Sequence, residues 1–185
     1  MILSVKRSAV TVGGKRLRAV ALVAAVMFGA AAPAPASAHP QASGLLQCQG
    51  TESVHYQPGV TLQARPIHVT VDGHFSSCAG GDGAVKSGGY QEEFTLVTGC
   101  NNLLEGFQAR RTYTWNTGDS STADITGSST AAVGQVVTQV TGTITDGRFH
   151  GHNLLQVITL PQPSALQCLG DGLASATGAT TLTIL

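Results

Sequence analysis

Two short stretches of this chain alternate in the same way and end alike. Residues 69–75 read Val-Thr-Val-Asp-Gly-His-Phe, and residues 143–149 read Thr-Ile-Thr-Asp-Gly-Arg-Phe. Alternation of this kind has the period of a β-strand, whose side chains point to opposite faces in turn. Asp-Gly beside such a run is a strong hairpin signal, because a type I′ turn needs positive φ at both central residues. The expectation is two hairpins, built around Asp72-Gly73 and Asp146-Gly147, in an all-β protein.

The same period recurs along the chain. Phe107, Ala109, Arg111, Tyr113 and Trp115 fall on one face of a strand over 106–115, with Gln108, Arg110, Thr112 and Thr114 on the other. Asn116-Thr117-Gly118-Asp119 then turns the chain towards a return strand over 120–126. Ile67, Val69 and Val71 share a face, as do Leu182 and Ile184. Further strands are expected over 48–56, 93–100, 135–145 and 149–160, and Pro58-Gly59, the glycine-rich stretch 79–89 and Gly170-Asp171-Gly172 read as turns or loops. Beyond residue 38 no window carries a 3.6-residue apolar period. About eight to ten strands joined by short turns make an antiparallel β-sandwich or a closed β-barrel.

The N-terminal segment has a different character. Lys6, Arg7, Lys15, Arg16 and Arg18 precede an apolar run of 14 residues from Ala19 to Ala32, too short for a membrane span. Pro33 and Pro35 break it, and Ala36-Ser37-Ala38 fits a small-residue cleavage rule. Residues 1–38 therefore read as a cleaved secretory signal peptide. With no Arg-Arg pair ahead of the apolar run, the general secretory route is expected. Residues 39–185 read as a single secreted β domain, with no membrane attachment after cleavage. Removing the signal leaves five cations against ten carboxylates, a net charge of −5, although the whole chain is formally neutral. That surface repels phosphate backbones and makes nucleic acid a poor partner.

The four cysteines, Cys48, Cys78, Cys100 and Cys168, all lie in the exported part. An even count in an oxidising compartment reads as two disulfides. Three connectivities are open. Cys48–Cys78 with Cys100–Cys168 is favoured, because each bridge would tie one half of the chain to its own Asp-Gly hairpin. Zinc binding by the thiols is poorly supported, since no Cys-x-x-Cys is present.

Chemistry-bearing residues are sparse. His150 and His152, two apart on an expected strand, share a face, and His74 occupies a similar place in the first repeat. The three could converge on a metal with Asp72 or Asp146; otherwise they are solvated histidines beside turn aspartates. Tyr113 and Trp115 form a sugar-stacking platform if exposed and core if buried. Gly118-Asp119-Ser120 resembles the Gly-Asp-Ser of serine hydrolases, but Ser121-Thr122 follows it and Gly-x-Ser-x-Gly is absent. Glu92 and Glu93 are adjacent and face opposite ways on a strand. No catalytic residue and no cofactor is assigned.

Tyr-Thr-Trp-Asn-Thr-Gly-Asp-Ser-Ser at 113–121, Thr-Gly-Thr-Ile-Thr-Asp-Gly-Arg-Phe-His-Gly at 141–151, Tyr-Gln-Pro-Gly-Val-Thr at 56–61 and Thr-Thr-Leu-Thr-Ile at 180–184 carry a family resemblance. With the four cysteines, they make the chain resemble uncharacterised small secreted β-rich proteins of actinomycetes. The resemblance implies an exported β domain and brings no activity or catalytic residue with it. The expected role is non-catalytic binding or structural work outside the cell or at the cell wall. The alternatives are a polysaccharide-binding module using Trp115 and Tyr113, and a metal-dependent protein using His74, His150 and His152. A small apolar ligand would need a barrel cavity.

Overall fold

A computed structural model describes residues 46–185; the expected signal segment and cleavage site lie outside the described residues. Eight strands follow one another around a closed antiparallel barrel. They are β1 (Leu46–Val60), β2 (Arg65–Gly80), β3 (Gly88–Thr98), β4 (Phe107–Trp115), β5 (Ser120–Ala132), β6 (Gln135–Gly147), β7 (Asn153–Pro161) and β8 (Leu173–Ile184). Each pairs with its neighbour in sequence, and β1 pairs with β8 from Leu46↔Ile184 to His55↔Ser175, closing the ring. The all-β expectation holds, and of the two architectures left open the barrel is the one formed.

Alternation explains why these residues make this shape. Cys48, Glu52 and Val54 point inwards on β1, while Gln47, Gln49, Thr51 and His55 face solvent. The row Arg111, Tyr113, Trp115 on β4 is inside, with Thr112 and Thr114 outside. Val140 and Ile144 on β6 follow the same rule against Thr141, Thr143 and Thr145. Closure of the ring, complete except where β3 and β4 pair through two rungs only, gives each apolar row one place to go, the lumen. No helix among the described residues is long and apolar enough to cross a membrane.

The two disulfides are Cys48–Cys78 and Cys100–Cys168, the favoured pairing. The expected reason was wrong, however. Cys48 and Cys78 are direct cross-strand partners on β1 and β2. Cys100 lies on a 3-10 turn, Cys100–Asn102, and Cys168 on a short helix, α1 (Ala165–Leu169), so their bridge joins two loops at one end of the barrel. The helix replaces part of an expected loop. Ser164 caps it: its Oγ accepts from the Gln167 backbone N–H, and Gln167 Oε1 accepts from the Ser164 backbone N–H.

The two Asp-Gly pairs behave differently from one another. Asp72-Gly73 is no turn: it lies inside β2, which runs unbroken for 16 residues. The physical reason is packing. Gly73 sits in register between Glu52 on β1 and Tyr90 on β3, and a Cβ there would lie 2.2 Å from the Tyr90 ring. Asp146-Gly147 does end a strand, with Gly147 at φ 80°, but the reversal itself is made by residues 148–152. The repeat is also out of phase. Val69 and Val71 point inwards, whereas in the second copy Ile144 does so and Thr143 and Thr145 face out. Pro58-Gly59 likewise fails to end β1, which continues to Val60.

The two halves of the lumen differ. The end bearing Leu46, the 116–119 turn and the 148–152 turn is filled by Leu46, Cys48, Phe75, Trp115, Ile144, Leu154, Leu182 and Ile184, all buried. An aromatic column rises from it: Phe149 edge-on to Trp115, Trp115 stacked on Tyr113, and Tyr113 edge-on to Tyr90. Arg148 clasps this end from outside through Asp82 and Asp119, which belong to two different loops. The other end is open.

Candidate functional site

The open half of the barrel encloses a cavity of about 830 Å³. Much of its wall is apolar, with Val54, Val69, Phe94, Leu96, Phe107 and Ile158, while polar side chains such as Gln91, Glu93, Gln108 and Arg110 also line it. Phe94 and Phe107 point into the barrel yet remain 42% and 37% exposed, because they face this space and not a partner. Asn102, Leu103 and Pro163 at its rim belong to the loops that carry Cys100 and Cys168, which the disulfide joins.

The side of the barrel is incomplete at the same level. β3 and β4 pair only through Gly88↔Trp115 and Gly89↔Thr114, and above those two rungs the strands separate. What spans the gap is a side-chain pair. Arg111 on β4 donates to both carboxylate oxygens of Glu92 on β3, Nε to Oε1 at 2.9 Å and Nη2 to Oε2 at 2.7 Å. A planar guanidinium and a carboxylate match in this two-pronged form, which fixes direction as well as distance.

Arg111 also belongs to the floor of the cavity. Its Nη1 donates to Gln156 Oε1 at 2.9 Å, and its guanidinium lies 4.2 Å from the Tyr90 ring centre. The Tyr113 hydroxyl donates to the same Gln156 oxygen at 2.9 Å. Gln156 Nε2 then donates to the Tyr90 hydroxyl at 2.7 Å and to Thr180 Oγ1 at 2.9 Å. Tyr90 donates to Glu52 Oε2. Five strands, β1, β3, β4, β7 and β8, thus contribute to one polar layer between the apolar plug and the cavity, and Glu52, Glu92 and Arg111 reach the cavity itself.

Burial sets the protonation of this layer. Glu52 is 4% exposed, and desolvation raises its pKa, opposed by the Tyr90 hydrogen bond and by the Arg111 charge. Burial pushes the Tyr113 hydroxyl up to about 12. Tyr56, higher on the cavity wall, is likewise pushed up to about 12 by burial and then by Glu52. Burial works against the Arg111 charge, but the hydrogen bonds to Glu92 and the adjacent tyrosines outweigh it and hold the guanidinium firmly protonated.

The candidates named from sequence lie elsewhere or play other parts. Tyr113 and Trp115 are 0% and 5% exposed, so they are interior residues and not an outer stacking platform. Trp115 Nε1 is satisfied by Ser121 Oγ at 2.9 Å. His74 is exposed on the outer face of β2. His150 and His152 lie in the 148–152 turn and not on a strand, and His152 Nδ1 lies 2.6 Å from the Leu185 carbonyl oxygen. Among the described residues no three His, Cys, Asp or Glu side chains converge as metal ligands. The convergence of His74, His150 and His152 therefore fails, because the repeats that would have aligned them are not equivalent.

No family model, curated protein or solved structure matches this chain. The site therefore rests on its own residues. Glu52, Tyr90, Gln156 and Thr180 are not singled out by the sequence, and Glu92 and Arg111 are placed there on strand faces without a role. The signal that could have found them is a polar residue in an inward row: Glu52 before Val54, Gln156 between Leu154 and Ile158, Arg111 between Ala109 and Tyr113.

Proposed function

We propose that this protein binds a small, largely apolar molecule in the open half of its barrel and does so outside the cell. One observation carries the reading: a cavity of about 830 Å³ lined in large part by apolar side chains, with Glu52, Glu92 and Arg111 at its inner end. Ligand pockets of roughly 300–1,000 Å³ with apolar walls and a few convergent polar groups are the usual form of a small-molecule site. Two disulfides and an N-terminal segment with the features of an export signal support an extracellular setting. An outer-surface polysaccharide site on Trp115 and Tyr113 has lost its support, since both rings are inside.

The test is fluorescence titration with N-phenyl-1-naphthylamine, which brightens in apolar surroundings. The wild type is expected to enhance and blue-shift its emission saturably. An Ala109→Trp/Ser129→Trp double variant places two indoles against the cavity and is expected to weaken binding about tenfold or more, about 1.4 kcal/mol, with an unchanged β-type circular dichroism spectrum. No saturable signal, or equal binding by the filled variant, would overturn the reading.

A further inference from the structure

The polar layer has a direction, and its direction bears on what the cavity accepts. Arg111 can only donate, so Gln156 Oε1, which it meets, must be the amide oxygen. Gln156 Nε2 is then the donating end, and it gives its protons to Tyr90 and Thr180. The Tyr90 oxygen is thereby an acceptor for Gln156, and its own proton goes to Glu52 Oε2. Within the Glu52 carboxyl, Oε2 is an acceptor, and a proton on that group belongs on Oε1. Among the described residues Oε1 has no partner, although Glu52 is 4% exposed and lines the cavity.

Charge counting agrees with the hydrogen bonds. The one cation of the layer, Arg111, is already paired with Glu92. An ionised Glu52 would leave a net negative charge inside the barrel, whereas a protonated one leaves the interior neutral. Apart from Tyr56 on its own strand, the titratable groups around Glu52 are Tyr90 and Glu92 from β3 and Arg111 and Tyr113 from β4; β2 contributes Val71 and Gly73, β7 Gln156 and β8 Thr180. The other cation that lines the cavity, Arg110, is exposed and paired with Asp124, and buried charge without a partner is costly.

We propose that Glu52 Oε1 donates a hydrogen bond to an uncharged acceptor, the carbonyl of a ketone, ester or lactone, at the polar end of an otherwise apolar ligand. This inference rests on the cavity reading above. It assigns the ligand's buried end to the floor and its apolar body to the wall formed by Val54, Val69, Phe94, Leu96 and Phe107. A carboxylate would meet a floor whose cation is occupied. An amine would require Glu52 to be ionised.

Four probes with one ring system separate these cases: 2-acetylnaphthalene, 2-naphthoate, 2-(aminomethyl)naphthalene and unsubstituted naphthalene, measured by equilibrium dialysis in mildly acidic and mildly alkaline buffer. In the acidic buffer the ketone is expected to bind about tenfold or more tighter than the carboxylate, the worth of one good buried hydrogen bond. Its affinity should fall as the pH rises and Glu52 loses its proton. Glu52→Gln should abolish that pH dependence, and Glu52→Leu should remove the preference for the ketone over plain naphthalene. If the amine binds most tightly and strengthens with pH, or if the ketone's preference survives Glu52→Leu, the proposal is overturned while the cavity reading stands. If no probe binds the wild type, the cavity reading falls and the proposal with it.

Discussion

Gln156 is 0% exposed and holds four partners, one on each of its amide positions. A buried amide is favourable only when its hydrogen bonds are complete, and here they are. Arg111 fixes which way the amide lies, and everything downstream to Glu52 follows from that. Glu52 carries the one pH-sensitive consequence. Its pKa is higher folded than unfolded, so below its ordinary value near 4.5 both states hold the proton and stability is full. As the pH rises through the raised value, the folded state alone resists ionisation and stability declines. Asp82 and Asp124 act the other way, since backbone and arginine hydrogen bonds lower their pKa values and their contribution is lost on acidification. Glu52→Gln leaves those two aspartates untouched. The variant is expected to melt close to the wild type in acid and progressively higher than it as the pH rises, in paired thermal scans. A constant difference across the range would contradict the assigned shift. These residues were hard to see in the sequence for a physical reason. Glu52, Tyr90, Arg111, Gln156 and Thr180 are far apart in the chain, and only closure of the ring brings them to one level.

Strands were the legible part. The rows on β2, β4, β6 and β8 announce their inner faces by alternation, and the turn at residues 116–119 sits where Asn-Thr-Gly-Asp placed it. Asp72-Gly73 misled because glycine has two uses that look alike locally. It can allow a backbone turn, or it can remove a side chain so that a neighbour's ring may cross, as Tyr90 crosses Gly73 to reach Glu52. Phe107 lies over Gly127 in the same manner. The Cys100–Cys168 bridge joins elements that pairing alone leaves apart, the 3-10 turn after β3 and the helix before β8, across a sequence separation of 68 residues. Replacing both cysteines by serine is expected to lower stability by roughly 4 kcal/mol on the loop-closure argument, read from urea unfolding midpoints under non-reducing conditions. A loss below about 1 kcal/mol would mean that the mouth loops are held by their packing alone.

At the scale of the molecule, the barrel is two structures end to end: a solid β core below the polar layer and a vessel above it. Sequence could not separate a barrel from a sandwich, because both satisfy alternation and short turns equally. Nor could it distinguish an inward phenylalanine that packs from one that faces empty space. Phe75 is fully buried and Phe94 is 42% exposed, although both point inwards. Amide hydrogen exchange should report the division directly. Amides of β3 beyond Gly89 and of β4 before Thr114 that face the gap are expected to exchange orders of magnitude faster than those of β6, which is paired along both edges. Equal protection across β3, β4 and β6 would show that the gap is closed in solution.

The gap between β3 and β4 gives the upper barrel the mechanics of a belt and not of a hoop. A ladder complete on every side fixes a circumference, since widening it means breaking backbone hydrogen bonds in series. Here the circumference above Gly89 is set by a buckle, the Arg111–Glu92 pair, and by two flanks free to part beyond it. The girth of the upper half is therefore held on that side by side chains, while the half below is held by a backbone ladder on every side.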